Sequence, residues 1–509
     1  MRDRTLVPVL GLCVLVATTA YLMVFTLLGQ IGATLGASRT ALDWITIATV
    51  IVGTVSSALM PALGAVLGER RLMVISMGAL AAGSLASACA PDVALLLVGR
   101  VVAALGLAAA AVSIAIVRER RSGPGLARAL GVIAAFEGAA AGTGFALGGV
   151  VEEAGRADWR AVFLAMAAIS AVAAAAAAVT ITDKPAGDEA PAPGSAGAPG
   201  VDRRPRAVSV HRRLGRPGEV AVHRHLDLGG AVLLAGGLAA GLLAITEGAA
   251  WGWTSARIAG LIAAAVTLLA VWAVGALRAA DPLVRLRVLA RPGVAVGAAF
   301  ILVTACTVGI VNLTVPSFLE APPTAGYGDG ASVLTAGLDM LPFAVAITLA
   351  GYLAGRLAQL LGLRRIGASG LCAEALGLGL LAGFPHSVGQ VAAFVAIIGV
   401  GHGCLITAAY VAITRDVPQR EAGAAAGFGS AVSGVSGAVA SAVITPVLAS
   451  RLLLAGPSLL PAASGYTRSW LYGAAFAAGA ALIVIAARMT RAGRKPAPVR
   501  DDAAEIPVG

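Results

Sequence analysis

The stretch GRLAQLLGLRR, residues Gly355 to Arg365, joins two apolar runs of the chain and ends in a pair of arginines. A similar but shorter stretch, GAVLGERR, residues Gly64 to Arg71, does the same earlier in the chain. Each follows the second apolar run in a set of six. The repetition predicts that a six-helix unit occurs twice, and duplicated units around a site near the membrane midplane are typical of secondary transporters.

The composition disfavours the soluble classes of protein. Of the 509 residues, 58% are hydrophobic and 12% are charged, whereas soluble domains are about 25% charged. A soluble enzyme, a disordered chain and a fibrous protein are therefore disfavoured. Because a membrane-spanning helix needs about 20 apolar residues, we predict an all-α integral membrane protein with fourteen transmembrane helices. The predicted spans are 6–29, 42–65, 72–90, 93–117, 129–151, 160–182, 227–248, 256–277, 294–318, 332–354, 365–384, 388–413, 421–449 and 468–488.

The distribution of basic residues predicts the orientation. An even number of spans places both termini on one side of the membrane. Most of the 37 lysines and arginines then fall on that side, and basic loops mark the cytoplasmic side. We therefore predict a multi-pass protein of the plasma membrane with both termini cytoplasmic. The net charge of +11 is interpreted as this bias, and no nucleic-acid partner is predicted.

One long break divides the apolar runs. It begins with a Pro/Gly/Ala-rich part and ends with a basic part. A nucleic-acid arm and a cytoplasmic linker lying against anionic lipid both fit this composition, and we favour the linker. The predicted segments are an N-terminal six-helix bundle at 1–182, the cytoplasmic linker at 183–226, two inserted transmembrane helices at 227–291, a C-terminal six-helix bundle at 292–489 and a disordered cytoplasmic tail at 490–509.

The stretch quoted first resembles the loop between helices 2 and 3 of the major facilitator superfamily, with the pattern G-x-L-a-D-r-x-G-r-r. Gly355, Leu357, Gly362 and Arg364 match, while Gln359 replaces the acid. The resemblance implies that this loop and its earlier copy take part in gating.

In the earlier copy, the candidate gating residues are Gly64, Arg70 and Arg71. Either Gly68 or Glu69 stands at the position of the acid in our alignment. This copy therefore matches the pattern less well than the later one.

A second motif lies in the fifth predicted span. The sequence GFALGG resembles the antiporter motif G-P-x-x-G-G of the same superfamily, with phenylalanine in place of proline. The flanks of the inserted helices, LD at 226–227 and DPL at 281–283, resemble those of the 14-helix drug:proton antiporter family. The residues that carry the antiporter motif are Gly144, Phe145, Gly148 and Gly149.

This resemblance implies a major facilitator fold of two six-helix bundles plus two inserted helices. It further implies alternating access and export of small amphipathic molecules, such as drugs, antibiotics or secondary metabolites, in exchange for protons. The expected partners are that substrate, protons and the lipid bilayer. The protein is expected to be a monomer that has no cofactor and no enzymatic activity. The family's helix-1 acid aligns with Ala20, so an uncoupled facilitator or importer and a non-transporting membrane sensor stay as alternatives.

Charged residues inside spans are candidates for proton coupling, because a charge at the bilayer centre costs about 2.5–3.5 kcal/mol. Arg100 and Glu137 are each roughly 12 Å deep at 1.5 Å per residue, and we predict that they form an ion pair. Asp339 and His402 are further candidates. Glu374 ranks last, since its helix corresponds to a peripheral third helix of the repeat.

A few polar and aromatic residues in aliphatic spans are candidates for binding the substrate. An apolar cavity with few polar groups suits amphipathic ligands. No cysteine pair has CxxC spacing, so we expect no metal site. The candidates for substrate binding are Tyr21, Phe25, Gln30 and Asn312.

Overall fold

The computed structural model describes residues 2–153, 158–182, 227–279, 282, 284–385, 387–415, 417–455 and 458–492. The predicted linker at 183–226 and most of the predicted tail at 490–509 lie outside the described residues. Within that part of the chain, fourteen helical segments are long and apolar enough to cross a membrane. The prediction of an all-α protein with fourteen spans is confirmed.

Six spans form the first half of the molecule. An apolar helix suits the bilayer because it satisfies its own backbone hydrogen bonds. A 3₁₀ turn at Leu105–Leu107 interrupts the fourth span, which therefore consists of two helices. The helices are α1 (Arg2–Leu35), α2 (Arg39–Leu67), α3 (Glu69–Ala88), α4 (Val93–Ala104), α5 (Ala108–Arg120), α6 (Gly123–Glu153) and α7 (Trp159–Thr180).

An inserted pair of spans and a second half of six spans follow. A short antiparallel hairpin of β1 (Leu452–Ala455) and β2 (Ser458–Pro461) precedes the last helix. Helices α12 and α13 together make one span, and α10 is too short to be one. The helices are α8 (Leu228–Trp251), α9 (Ala256–Arg278), α10 (Leu286–Leu289), α11 (Pro292–Glu320), α12 (Val333–Asp339), α13 (Leu341–Leu361), α14 (Leu363–Gly383), α15 (Val388–Arg415), α16 (Ala422–Ala449) and α17 (Ala463–Ala492).

Short polar side chains cap several helices that begin at the same face of the molecule. Ser38, Asp92, Asp158 and Ser255 each accept a hydrogen bond from a backbone N–H in the first turn of α2, α4, α7 and α9. Such a cap stabilises a helix by about 1 kcal/mol. We call this face the outer face, and the opposite face, where α1 begins, the inner face.

The two halves pack as similar bundles. In the first, α1 packs against α6 and α7, and α3 packs against α4 and α7. In the second, α11 packs against α15 to α17, and α14 packs against α15 and α17. The halves meet along two seams, α6 with α13 and α2 with α16. The inserted helices α8 and α9 pack on each other, and α8 contacts both α2 and α16.

The turn that follows the second span is the same in both halves. Gly68 joins α2 to α3 with φ 86° and ψ 138°, and Gly362 joins α13 to α14 with φ 81° and ψ 149°. Positive φ favours glycine at both places. This correspondence corrects our alignment: Gly68 matches Gly362 instead of the acid, and both copies have the same length. Pro61, rather than Gly64, corresponds to Gly355.

Glycines let the helices of the α6–α13 seam approach closely. A Cβ atom at Gly131 would lie 2.7 Å from the carbonyl oxygen of Gly351, and one at Gly355 would lie 2.6 Å from that of Ala127. A Cβ at Gly142, further along, would lie 2.7 Å from the Cβ of Ala344. Small residues permit such backbone contact between membrane helices. The halves therefore touch along most of this seam.

An aromatic cluster packs beneath the outer loops of the second half. Phe318 stacks on Tyr327 and packs edge to face with Trp470. The Tyr327 hydroxyl donates to the carbonyl oxygen of Pro461 in β2. Burial raises the pKa of Tyr327, so this hydroxyl stays protonated as a donor. The contact ties the loop after α11 to the hairpin.

Candidate functional site

A hydrogen bond between the two halves lies inside the predicted membrane region. Glu137 is on α6 of the first half, and Tyr410 is on α15 of the second. The Tyr410 hydroxyl donates to Glu137 Oε2 over 2.8 Å. Tyr410 is buried and Glu137 is half-buried. A carboxyl group at this position can change the contact between the halves by gaining or losing a proton.

The structure does not form the predicted ion pair between Arg100 and Glu137. Arg100 is 1% exposed, and its Nη2 donates to the carbonyl oxygen of Ala20 over 3.2 Å. Its guanidinium carbon lies 5.5 Å from the ring centre of Phe163. Arg100 thus points towards α1 and α7, whereas Glu137 points towards α15. The two residues were correctly expected inside the membrane region, but they lie on faces that do not meet.

The remaining nitrogens of Arg100 are unusual for a buried cation. Nε and Nη1 are buried and have no hydrogen-bond partner among the described residues. Tyr21, a predicted substrate-binding residue, lies near enough for a Coulombic interaction with Arg100. Tyr21 also packs edge to face with Phe25 at 5.3 Å. This part of the first half therefore holds a positive charge without a carboxylate partner in the described chain.

A second buried charge lies within the second half, where the sequence ranked it last. Glu374 on α14 is 0% exposed. Its Oε1 accepts from Thr304 Oγ1 and its Oε2 from Thr307 Oγ1, the latter over 2.7 Å. His402 Nδ1 lies 2.8 Å from Thr304 Oγ1 and 4.0 Å from Glu374 Oε1. We call these four residues the Glu374 cluster.

A sequence signal for the Glu374 cluster was present. Thr304 and Thr307 are three residues apart, so they share one face of α11. Glu374 on α14 and His402 on α15 are also polar residues in otherwise apolar spans. Three spans therefore each contain at least one such residue. Side chains of this kind inside the bilayer are expected to face one another. Considered separately, His402 and Glu374 do not indicate the contact that the structure shows between them.

An arginine at the inner face was also missed as a functional candidate. Arg118, in the last turn of α5, donates from Nε to the carbonyl oxygen of Thr414 over 2.6 Å and from Nη2 to that of Val417 over 2.9 Å. Thr414 is in the last turn of α15, and Val417 lies two residues beyond its end, in the second half. Free carbonyl groups at a helix end attract a cation. We call this contact the Arg118 latch, and it holds the halves together at the inner face.

The α2–α16 seam also closes the inner face. A Cβ at Gly423 of α16 would lie 2.7 Å from the carbonyl carbon of Pro61 in α2. Beside this contact, Arg285 pairs with Glu421 at 3.2 Å and ties the segment before α10 to the start of α16. The structure therefore describes a conformation in which the halves meet at the inner face.

The other predicted coupling and substrate residues are dispersed. Asp339 is the last residue of α12, at the break with α13, and its buried Oδ2 has no partner among the described residues. Asn312 on α11 has a buried Oδ1 that likewise lacks a partner in the described chain. Gln30 is half-buried near the outer end of α1. None of these joins Glu137, Arg100 or the Glu374 cluster in a described hydrogen bond.

The predicted antiporter and gating motifs lie on contact surfaces and turns. Gly144 packs against Leu22 of α1, and Gly149 packs against Leu334 of α12. The side chains at 145 and 148 are outside the described residues, so Phe145 and Gly148 stay predictions. Among the gating residues, Gly64 is half-buried, whereas the arginines are exposed at the inner face, namely Arg70, Arg71 and Arg364.

Comparison with known sequences gives consistent matches. The family model of the Major Facilitator Superfamily matches residues 10–441. The puromycin resistance protein pur8 of Streptomyces alboniger is 28% identical over 434 residues, covering 82% of this chain and 76% of that protein. The multidrug resistance protein Stp of Mycobacterium tuberculosis is 27% identical over 394 residues, covering 76% of this chain and 64% of Stp, slightly under two thirds.

Comparison with solved structures supports the same fold. The human organic anion transporter MFSD10 (TETRAN) has a TM-score of 0.61 at 13% identity, covering 95% of this chain and 99% of that one. The proton:xylose symporter XylE, bound to 6-bromo-6-deoxy-D-glucose, has a TM-score of 0.61 at 11% identity, covering 95% of each chain. At these identities the similarity extends to the fold alone.

Proposed function

The chain belongs to the major facilitator superfamily, and from this membership we propose that it is a secondary active exporter of small amphipathic molecules in exchange for protons. The observation that carries the proposal is the hydrogen bond from Tyr410 to Glu137, which joins the halves inside the membrane. Export by alternating access requires such a contact to form and break in each cycle.

Protonation of Glu137 supplies the coupling step. An ionised carboxylate accepts a hydrogen bond about twice as strong as a neutral acceptor does. A proton that reaches Glu137 while the inner face is closed weakens the bond to Tyr410. The Arg118 latch then opens more readily, and Glu137 can release its proton at the inner face as substrate binds. The sign of this change fits exchange of an outgoing substrate for an incoming proton.

The substrate class rests on the related proteins. A puromycin resistance protein and a multidrug resistance protein match most of the chain, at 28% and 27% identity. Neither identity is high enough to transfer a substrate, so drugs, antibiotics and related secondary metabolites form the proposed class. The sequence contains no P-loop for ATP, which favours an ion gradient as the source of energy. The basic loops favour the plasma membrane, with cytoplasmic termini.

Proteoliposomes test this proposal with puromycin and ethidium as probes. We expect the wild-type protein to accumulate probe when a pH gradient is imposed. The Glu137→Gln variant should lose this gradient-driven accumulation but still bind probe, and Glu137→Asp should retain part of it. Glu247→Gln is a matched control, because Glu247 is a carboxyl group within α8, outside the two halves. Gradient-driven transport by Glu137→Gln at the wild-type rate would contradict the assignment.

An uncoupled facilitator is the second candidate, and one position favours it. Ala20 stands where the family's helix-1 acid is expected, and its carbonyl oxygen, instead of a carboxylate, contacts Arg100. If the wild-type protein equilibrates the probes at the same rate with and without a pH gradient, the facilitator is correct. Accumulation that disappears when a protonophore collapses the gradient would exclude it.

A further inference from the structure

An apolar cavity of about 480 Å³ lies where the inserted helices meet both halves. It is lined by side chains of α8, α9, α11 and α16, with Ala58 of α2. Its volume is within the range of about 300–1,000 Å³ that is typical of small-ligand sites. Representative lining residues are Leu234, Leu238, Leu269, Leu302, Phe428 and Val432.

One polar atom breaks the apolar lining of this cavity. Trp272 of α9 lines it and is 9% exposed. Its indole Nε1 is buried and has no hydrogen-bond partner among the described residues. A buried N–H of this kind normally has an acceptor. A ligand in the cavity that carries a carbonyl oxygen would supply one.

Positive charge borders the inner end of the cavity. Arg278 ends α9 at the inner face, six residues beyond Trp272 and therefore about 9 Å from it along the helix. Val284 and Leu289 line the cavity, and Arg287 lies between them on α10. Arg278 and Arg287 are exposed and have no carboxylate partner in the described part of the chain. The segment 284–289 thus places two apolar side chains on the cavity, with an exposed arginine between them in the sequence.

We propose that this cavity binds an anionic phospholipid from the leaflet at the inner face. One acyl chain occupies the apolar space, an ester carbonyl accepts from Trp272 Nε1, and the phosphate lies against Arg278 and Arg287. Basic pockets between transmembrane helices bind anionic head groups in this way. The cavity has positive charge at its inner end and aliphatic side chains along its walls, and this arrangement matches an anionic lipid better than a compact drug. Because α8 contacts both halves, the bound lipid lies beside the α2–α16 seam.

Brominated lipids test the site directly, since bromine quenches nearby tryptophans. The chain has six tryptophans. A variant that keeps only Trp272 and a matched variant that keeps only Trp253, which is 50% exposed, are placed in nanodiscs with brominated phosphatidylglycerol or brominated phosphatidylcholine. We expect saturable quenching of Trp272 at low fractions of brominated phosphatidylglycerol. Trp253 should instead follow the bulk lipid fraction. Equal quenching of Trp272 by both lipids would overturn the anionic site.

Native mass spectrometry of the full chain gives a second measurement that does not need tryptophan replacements. The wild-type protein should retain phosphatidylglycerol on release from detergent. The Ala299→Phe variant, which fills the cavity from α11, and the Arg278→Gln/Arg287→Gln variant should lose it. Retention unchanged in both variants would overturn the proposal. Displacement of the lipid by puromycin or ethidium, in proportion to their occupancy, would instead identify the cavity as a substrate entrance.

Discussion

Among the described residues, each half of the molecule buries one ionisable side chain almost completely, Arg100 in the first and Glu374 in the second, but at a different place in the repeated bundle. Gly106 packs on Leu80 in the first half, and Gly401 packs in the same way on Glu374 in the second. Leu80 and Glu374 therefore hold equivalent positions. In this register Arg100 corresponds to Val395, which is fully buried. The bundle kept its backbone after duplication, while its buried charges diverged.

Glu374 and Arg100 also differ in how many of their polar atoms have hydrogen-bond partners. The Glu374 carboxylate accepts from two threonines and lies beside a histidine, whereas two nitrogens of Arg100 lack partners in the described chain. A satisfied buried network holds its helices in one arrangement, and an unpaired buried charge destabilises the fold. The comparison indicates a structural role for Glu374 and an available charge at Arg100.

The largest effect on stability is expected at Glu374. Replacement by alanine leaves Thr304 and Thr307 without their carboxylate acceptor and should lower the free energy of unfolding by about 3 kcal/mol. Glu374→Gln preserves an acceptor and should recover more than half of the loss. Thermal unfolding in detergent, followed by circular dichroism, measures both. Equal melting temperatures for wild type and Glu374→Ala would contradict a structural role for Glu374 and would favour a role in proton coupling.

A change of the opposite sign is expected at Arg100. Because two of its nitrogens are unpaired, Arg100→Met removes an uncompensated charge and should stabilise the fold by about 1–3 kcal/mol. Transport of puromycin should nevertheless be lost, as happens when a strained functional group is replaced. The same unfolding experiment together with proteoliposome transport checks this pair of outcomes. If Arg100→Met is instead less stable than the wild type, then the Arg100 side chain stabilises the fold, as Glu374 is expected to do.

The smallest effect is expected where the halves meet. Arg118→Gln replaces the charge-assisted bonds to Thr414 and Val417 by at most a neutral one. For a net loss of about 1.4 kcal/mol, the population open at the inner face should rise roughly tenfold. Spin labels on α5 and α15 report this distance by pulsed electron paramagnetic resonance. Arg128→Gln is the control, because Arg128 bonds to Pro124 in its own helix. An unchanged distance distribution for Arg118→Gln would show that the seams alone close the inner face.

The sequence predicted the number of spans and their order, because apolar length and charge are properties of each segment alone. It also predicted that Arg100 and Glu137 lie within the membrane region. It could not predict their partners, since the face of a helix that meets a neighbour depends on packing across the bundle. The same limit hid Tyr410 as the partner of Glu137, and it hid the three-helix contact of Glu374.

The glycines of the α6–α13 seam have a consequence for how the chain can vary. At Gly131 and Gly355 even one added methyl group would meet the opposing backbone. Glycine is already the smallest residue, so these positions have no conservative replacement, unlike an aliphatic core position where leucine and methionine interchange at little cost. Random substitutions should therefore be tolerated on the lipid-facing surfaces. They should impair the protein at the glycines that follow one another along the α6–α13 seam. A mutational scan would locate these glycines without any knowledge of the structure.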